Sequence, residues 1–197
     1  MQTARQSVRR YTSEENVREI REGSYSTSQR LGGKLDSYGN SLSKKATVAG
    51  EEDAVVINDF LQRAPKYEGQ RFRGVGFNNE QTFFSALENY KDGKEVMAIE
   101  SWSDDAGTAE GFAGRGGGKV QVMFHVAKSK KAVGISSLNS LGEQEILAPA
   151  GSRYRVKGFK KVEEFTGDDL SQAIKSMSKT KNKKDGRTLY EVELEEI

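Results

Sequence analysis

The chain of 197 residues has no cysteine, two prolines, and a single histidine and tryptophan, His125 and Trp102. Lack of cysteine excludes a disulfide framework, a thiolate nucleophile and a zinc ribbon. One imidazole cannot build a two-histidine metal site and leaves a Ser-His-Asp triad a single possible base. No metal is therefore expected. Long apolar runs are missing as well. None approaches the roughly 18 residues a membrane span needs, and the mean hydropathy is −0.73, so a soluble protein with no membrane partner is expected. The opening segment, MQTARQSVRRYTSEENVREI, is charged and has no apolar stretch of secretory type, so no signal peptide is expected. A surplus of one charge is absent too: 31 basic residues face 29 acidic ones, a net charge of +2. A nucleic-acid binder usually carries a larger basic excess, and the Lys-rich stretch 175–184 reads as a solvated loop.

What is present fits one domain with a core. Residues 1–10 read as a polar tail or the remnant of a preceding segment, with the domain spanning 11–197. The first 50 residues hold few apolar positions, although short helices over 13–22 and 29–38 fit the pattern. Ala54, Val55, Ile57, Phe60 and Leu61 then make an apolar stripe at helical spacing that Pro65 ends. Strands are expected over 70–77, 96–102, 120–126, 132–135, 143–147, 152–156 and 188–194, with helices over 81–90, 107–113 and 168–177. Pro149, Ala150 and Gly151 supply a turn between two of the strands. Short strands, helices mainly in the N-terminal half and no βαβ rhythm predict an α+β fold.

Glycine-rich stretches carry little here. Gly74-Val75-Gly76 lacks the third glycine of a dinucleotide loop, and Gly118-Lys119 is followed by Val120 where a Walker loop needs Ser or Thr. The pair Glu143 and Glu145 is more informative. On a strand both carboxylates leave one face, with Gln144 on the other. Two like charges so placed need a cation, a donor or solvent, and a reaction that develops positive charge would use them. The same spacing in Glu191, Glu193 and Glu195 reads as a solvated strand edge.

Three ordered elements raise the value of that pair: Arg73 in a strand, Ser101-Trp102-Ser103 at the end of another, and Glu143-Gln144-Glu145 followed by ILAPAGS. This arrangement resembles the mono-ADP-ribosyltransferases of the Arg–Ser–Glu class, which includes bacterial toxins and phage-encoded enzymes. The stretch ISSLNSLGEQEILAPAGSRYRV, residues 135–156, is similar to that family's turn loop, E-x-E motif and following strand. The resemblance runs from about Tyr11 to the C-terminus, patchy at first and strong from Arg73 to Val156. Two departures stand out: Leu138 and Leu141 occupy the loop where the family often has an aromatic, and Trp102 stands in the middle of the S-T-S element.

The resemblance implies two packed mixed or antiparallel sheets forming an NAD cleft, and NAD as a substrate with no metal. It implies Glu145 as the group that stabilises the ribosyl cation, Ser101 as the residue fixing it by a hydrogen bond, and Ser103 as support for that strand end. Glu143 would hold and help deprotonate the incoming arginine of a target protein. Arg73, with Gly74 beside it, would clasp a cofactor phosphate in a forked contact. Phe112 matches the aromatic that shelters nicotinamide, and Arg115, on the glycine-rich loop, a contact to a second phosphate. His125 is expected as a core or edge residue of a strand. The implied activity is arginine-directed ADP-ribosylation by a toxin or effector acting in the cytoplasm of a target or host cell. A nucleic-acid base as acceptor and a non-catalytic module of a phage structural protein are the alternatives.

Overall fold

The computed structural model describes residues 3–13, 16, 17, 19–21, 23, 47–88, 90, 93, 95, 96, 98–115, 119–138, 144–162 and 188–197. The helices expected over 29–38 and 168–177 lie outside them. Among the described residues the helices with defined bounds are α1 (Ala4–Tyr11), α2 (Val48–Arg63), α3 (Glu80–Leu87) and α4 (Ala106–Arg115), and residues 17, 19–21 and 23 are helical as well. The described residues also form eight strands: β1 (Arg71–Phe77), β2 (Glu95–Val96), β3 (Glu100–Ser103), β4 (Val120–Val126), β5 (Val133–Gly134), β6 (Glu145–Ala148), β7 (Ser152–Val162) and β8 (Thr188–Glu196). The α+β expectation holds. Among the described residues no helix is long and apolar enough to cross a membrane.

The helices start where short polar side chains satisfy the first backbone N–H groups. Thr3 and Gln6 form a reciprocal capping box at α1. Thr47 accepts from the Gly50 N–H at α2, and Asn79 from the Thr82 N–H at α3. The apolar stripe of α2 buries Ala54, Ile57 and Leu61, as its spacing predicts, and the helix ends just before Pro65. Thr3 starts a helix, and Val8 and Tyr11 are fully packed in a core with Ile20, Ile57, Ile99 and Leu147. One helix face suffices to bury two side chains, however polar the rest of the segment. Arg10 also pairs with the buried Asp53 of α2 and lies 3.6 Å from Glu19.

The strands form one hydrogen-bonded sheet in the order β2-β7-β8-β4-β1-β3-β6-β5. β4 and β8 are parallel and the other pairs antiparallel. Laid flat, β2 and β3 would stand about 24 Å apart at the usual ~4.8 Å strand spacing. The chain joins them through residues 97–99, a span of at most about 14 Å. Pro149, Ala150 and Gly151 likewise join β6, near one edge, to β7, near the other, and the Gly151 N–H reaches the Val96 carbonyl at 2.8 Å. The sheet therefore curls until its ends meet as two packed layers. Trp102 of β3 and Tyr154 of β7, four positions apart in the order, have ring centroids 5.9 Å apart. Instead of one strand over 96–102, the chain forms two short ones and changes layer between them.

Between the layers lie Val75, Phe77, Trp102, Val122, Phe124, Ile146, Tyr154 and Val192, closed at one end by Phe83 and Leu87 of α3. On the outer face, α4 packs Ala109 and Ala113 onto Phe72, Met123 and Leu189, and α1 and α2 cover Ile99, Val133 and Leu147. β7 runs six residues past the expected 156. Its polar extension has no alternation to read, but Lys160 pairs across to Glu191 at 3.2 Å, and a register shift between Val156 and Gly158 keeps it on β8.

Gly74 explains how close α4 sits. A Cβ there would meet the Ala109 carbonyl oxygen at 1.8 Å. Gly74→Ala is expected to push the helix outward and lower stability by about 1–3 kcal/mol, read as a lower urea midpoint with an unchanged slope. On the neighbouring strand, His125 stacks on Phe72 with centroids 4.8 Å apart, and its Nε2 has no partner among the described residues. Burial pushes its pKa below the usual imidazole range, against the opposing pull of Glu191 and Glu193. The unfolded chain thus binds a proton more readily, so acid favours unfolding. Stability should fall as the pH drops below about 6.5, the usual imidazole value, and His125→Gln should flatten that part of a urea-midpoint profile.

Candidate active site

β3 lies between β1 and β6, so the three sequence elements singled out above occupy adjacent strands. Register decides which side chains meet. Ser103 pairs with Glu145, Trp102 with Ile146 and Ser101 with Leu147. Residues opposite one another in a ladder share a face, and alternate residues of a strand share it too. Ser101, Ser103 and Glu145 therefore leave the outer face together. Phe72 joins them, being paired with Ser103 on its other side.

Glu145 is half-buried and opens β6. Its main chain is held on two sides, by the β3 ladder and by the Ile135 N–H, which donates to its carbonyl at 2.9 Å. Ser103 is nearly buried. Its hydroxyl donates to the Gln144 carbonyl at 3.4 Å and accepts from the Asp105 N–H at 3.0 Å, so it ties β6 to the start of α4. Asp105 then caps α4 by accepting from the Thr108 N–H, a contact that holds its carboxyl below the usual carboxylate range. With its amide turned over, the orientation that satisfies both groups, Gln144 places its nitrogen 2.6 and 3.1 Å from the two Asp104 carboxylate oxygens. The strand ends around Glu145 are thus fixed by hydrogen bonds, which favours a preset carboxylate position.

Arg73 departs from expectation. Its guanidinium leaves the inner face, is 3% exposed, and lies 2.9 Å from Glu100, which is fully buried. The same Glu100 oxygen accepts from Tyr90 at 2.9 Å. Burial, then the Glu100 charge, raises the Tyr90 pKa well above its ordinary value, so the phenol stays a donor. A phosphate clamp open to solvent is not what this geometry provides. Arg73 instead braces β1 against β3 immediately before Ser101. Gly74, beside it, admits α4 through its missing side chain. The Ser101 hydroxyl lies 3.2 Å from the Tyr11 hydroxyl.

Phe112 is 46% exposed on α4, so its ring is no part of the core. Arg115 is the last residue of α4, ahead of the glycine-rich loop in which it was expected. Its side chain and Glu143 lie outside the described residues. Among the described residues no group of three or more His, Asp or Glu could hold a metal ion. Glu100 and Tyr11 were not singled out from sequence. Alternation with Trp102 could have turned Glu100 inward, but nothing local marks Tyr11 as a neighbour of Ser101.

No protein-family model matches the chain, and no curated protein does. Solved structures do. Vis of Vibrio splendidus, an ADP-ribosyltransferase captured with agmatine, is 13% identical with a TM-score of 0.56, over 98% of this chain and 74% of its own. C3larvin toxin, an ADP-ribosyltransferase from Paenibacillus larvae, is 14% identical with a TM-score of 0.52, over 97% and 92%. The type III effector XopAI from Xanthomonas axonopodis pv. citri is 15% identical with a TM-score of 0.56, over 98% and 66%. At this level of identity the likeness is one of architecture, and by architecture the chain has the fold of the ADP-ribosyltransferases Vis and C3larvin.

Proposed function

We propose that the chain is an NAD-dependent mono-ADP-ribosyltransferase that attaches ADP-ribose to arginine side chains of a target protein and releases nicotinamide. The supporting observation is the shared outer face of Ser101, Ser103 and Glu145 on paired strands, within the fold of Vis and C3larvin.

The chemistry suits that arrangement. Breaking the bond between nicotinamide and ribose passes through an oxocarbenium-like state, as in glycoside cleavage. Positive charge grows on the ribose, so a carboxylate fixed beforehand favours the transition state over the ground state. Glu145 takes that role here, and its half-burial strengthens the interaction while leaving a path for substrate. Arginine is charged at neutral pH, so its attack needs an adjacent base. Glu143, two residues earlier, is assigned to it. The binding of agmatine, a guanidinium compound, by Vis is consistent with an arginine acceptor. Phe112 offers a half-exposed ring to nicotinamide. Arg73 is read as a positioning residue, which leaves phosphate contact to Arg115 and other groups. The reading carries with it a toxin or effector role in a target or host cell.

Purified chain should cleave NAD and, given agmatine, form ADP-ribosyl-agmatine detectable by mass spectrometry. Glu145→Gln is expected to lower the rate of both by about a hundredfold or more, the scale of losing a preorganised transition-state contact. Undiminished turnover in that variant overturns the assignment. Glu143→Gln should abolish transfer to agmatine while NAD hydrolysis persists. Equal loss of both reactions would remove the division of roles between the two acids. Label that disappears on nuclease treatment of a lysate would move the acceptor from protein to nucleic acid.

A further inference from the structure

Tyr11 is the last residue of α1 and 1% exposed, in the helix-covered core beside Ile99 and Leu147. Its ring is packed among apolar groups, yet its hydroxyl meets two atoms of β3 and the residue before it. The phenol lies 3.0 Å from the Ile99 carbonyl oxygen and 3.2 Å from Ser101 Oγ. Proton inventory fixes the direction of both contacts. A carbonyl can only accept, so the single phenolic proton goes to Ile99. The serine hydroxyl must then donate to the phenol oxygen. The chain of donation runs from Ser101 through Tyr11 to the Ile99 carbonyl.

In this arrangement the Ser101 proton is directed to Tyr11. What the serine offers on the outer face is lone pairs, which can accept from a hydroxyl. Resting on the ADP-ribosyltransferase reading, we infer that Tyr11 is a positioning residue that orients Ser101 as a hydrogen-bond acceptor for a ribose hydroxyl of NAD. Helix α1 is suited to hold the phenol still. It is fastened to α2 by the Arg10–Asp53 ion pair, and the Asp53 side chain is fully buried. Packing of Val8 adds to that anchorage. A segment with few apolar residues thereby sets the polarity of one hydroxyl in the site.

The test is a double-mutant cycle on NAD hydrolysis, with unfolding midpoints measured in parallel. Tyr11→Phe keeps the ring and removes the hydroxyl. It should lower kcat/KM about tenfold in the wild-type background, the scale of one hydrogen bond. In the Ser101→Ala background it should change kcat/KM less than twofold, because Tyr11 acts through Ser101. Val192→Ala, a cavity in the separate core between the sheet layers, assayed well below its unfolding midpoint, should lower that midpoint and leave kcat/KM unchanged. The same fold-loss from Tyr11→Phe in both backgrounds, or none in either, overturns the inference while leaving the enzyme assignment intact. Wild-type protein that does not cleave NAD overturns both.

Discussion

A single buried charge pair, Arg73 with Glu100, governs the middle of the sheet. β1 pairs with β4 along its whole length, but with β3 the register is confined to Phe72 and Ser103. The joint on which the candidate site depends therefore has little ladder of its own. The guanidinium and carboxylate, 2.9 Å apart and almost sealed from water, bridge it. Removing one partner of such a pair leaves an uncompensated buried charge, a loss of about 3–5 kcal/mol. A second pair repeats the device at the C-terminus. Arg71 lies 3.1 Å from Glu196 and donates to the Tyr154 hydroxyl, and Glu196 also accepts from the Lys131 N–H. Between the sheet layers the two arginines of these pairs are balanced by their two carboxylates.

These pairs also set the outer face. Glu100 turned inward places Trp102 inward as well, since alternate residues of a strand share a side. Ser101 and Ser103 are then obliged to face outward. Pairing of β3 with β6 extends the rule to Glu145, which shares the face of Ser103 and stands one ladder step along from Ser101. A shift of one residue at β3 would bury the serines and expose the glutamate and tryptophan. The charges in the core and the polar groups at the surface are thus a single register decision.

Three helices finish the outer face in different ways. α4 lies against β1 because Gly74 has no side chain, and its start is hydrogen-bonded to the strand that carries Ser103. α1 and α2 cover the other end, where the Tyr11 hydroxyl reaches Ser101. The serines are consequently held from the helix side as well as from the sheet.

The strands of the central sheet, the stripe of α2 and its end before Pro65 were legible in the sequence, because each follows from local periodicity and backbone restriction. The order Arg73, Ser101, Glu145 was legible too, and strand alternation puts the last two on one sheet face once β3 and β6 pair. Facing was not. Whether Arg73 points in or out depends on the partner it finds, and Glu100 acts on it across a strand boundary. Tyr11 lay in a stretch too polar for pattern reading, and its contacts with residues 99 and 101 exist only because the chain returns. The packing role of Gly74 was not legible, because the helix that rests on it comes 35 residues later, at Ala109. Local chemistry alone thus determined where most of the strands and the helix α2 form and the order in which the residue types stand. Curling of the sheet decided which of them meet, since desolvation of two arginines demanded that two carboxylates be brought inside with them.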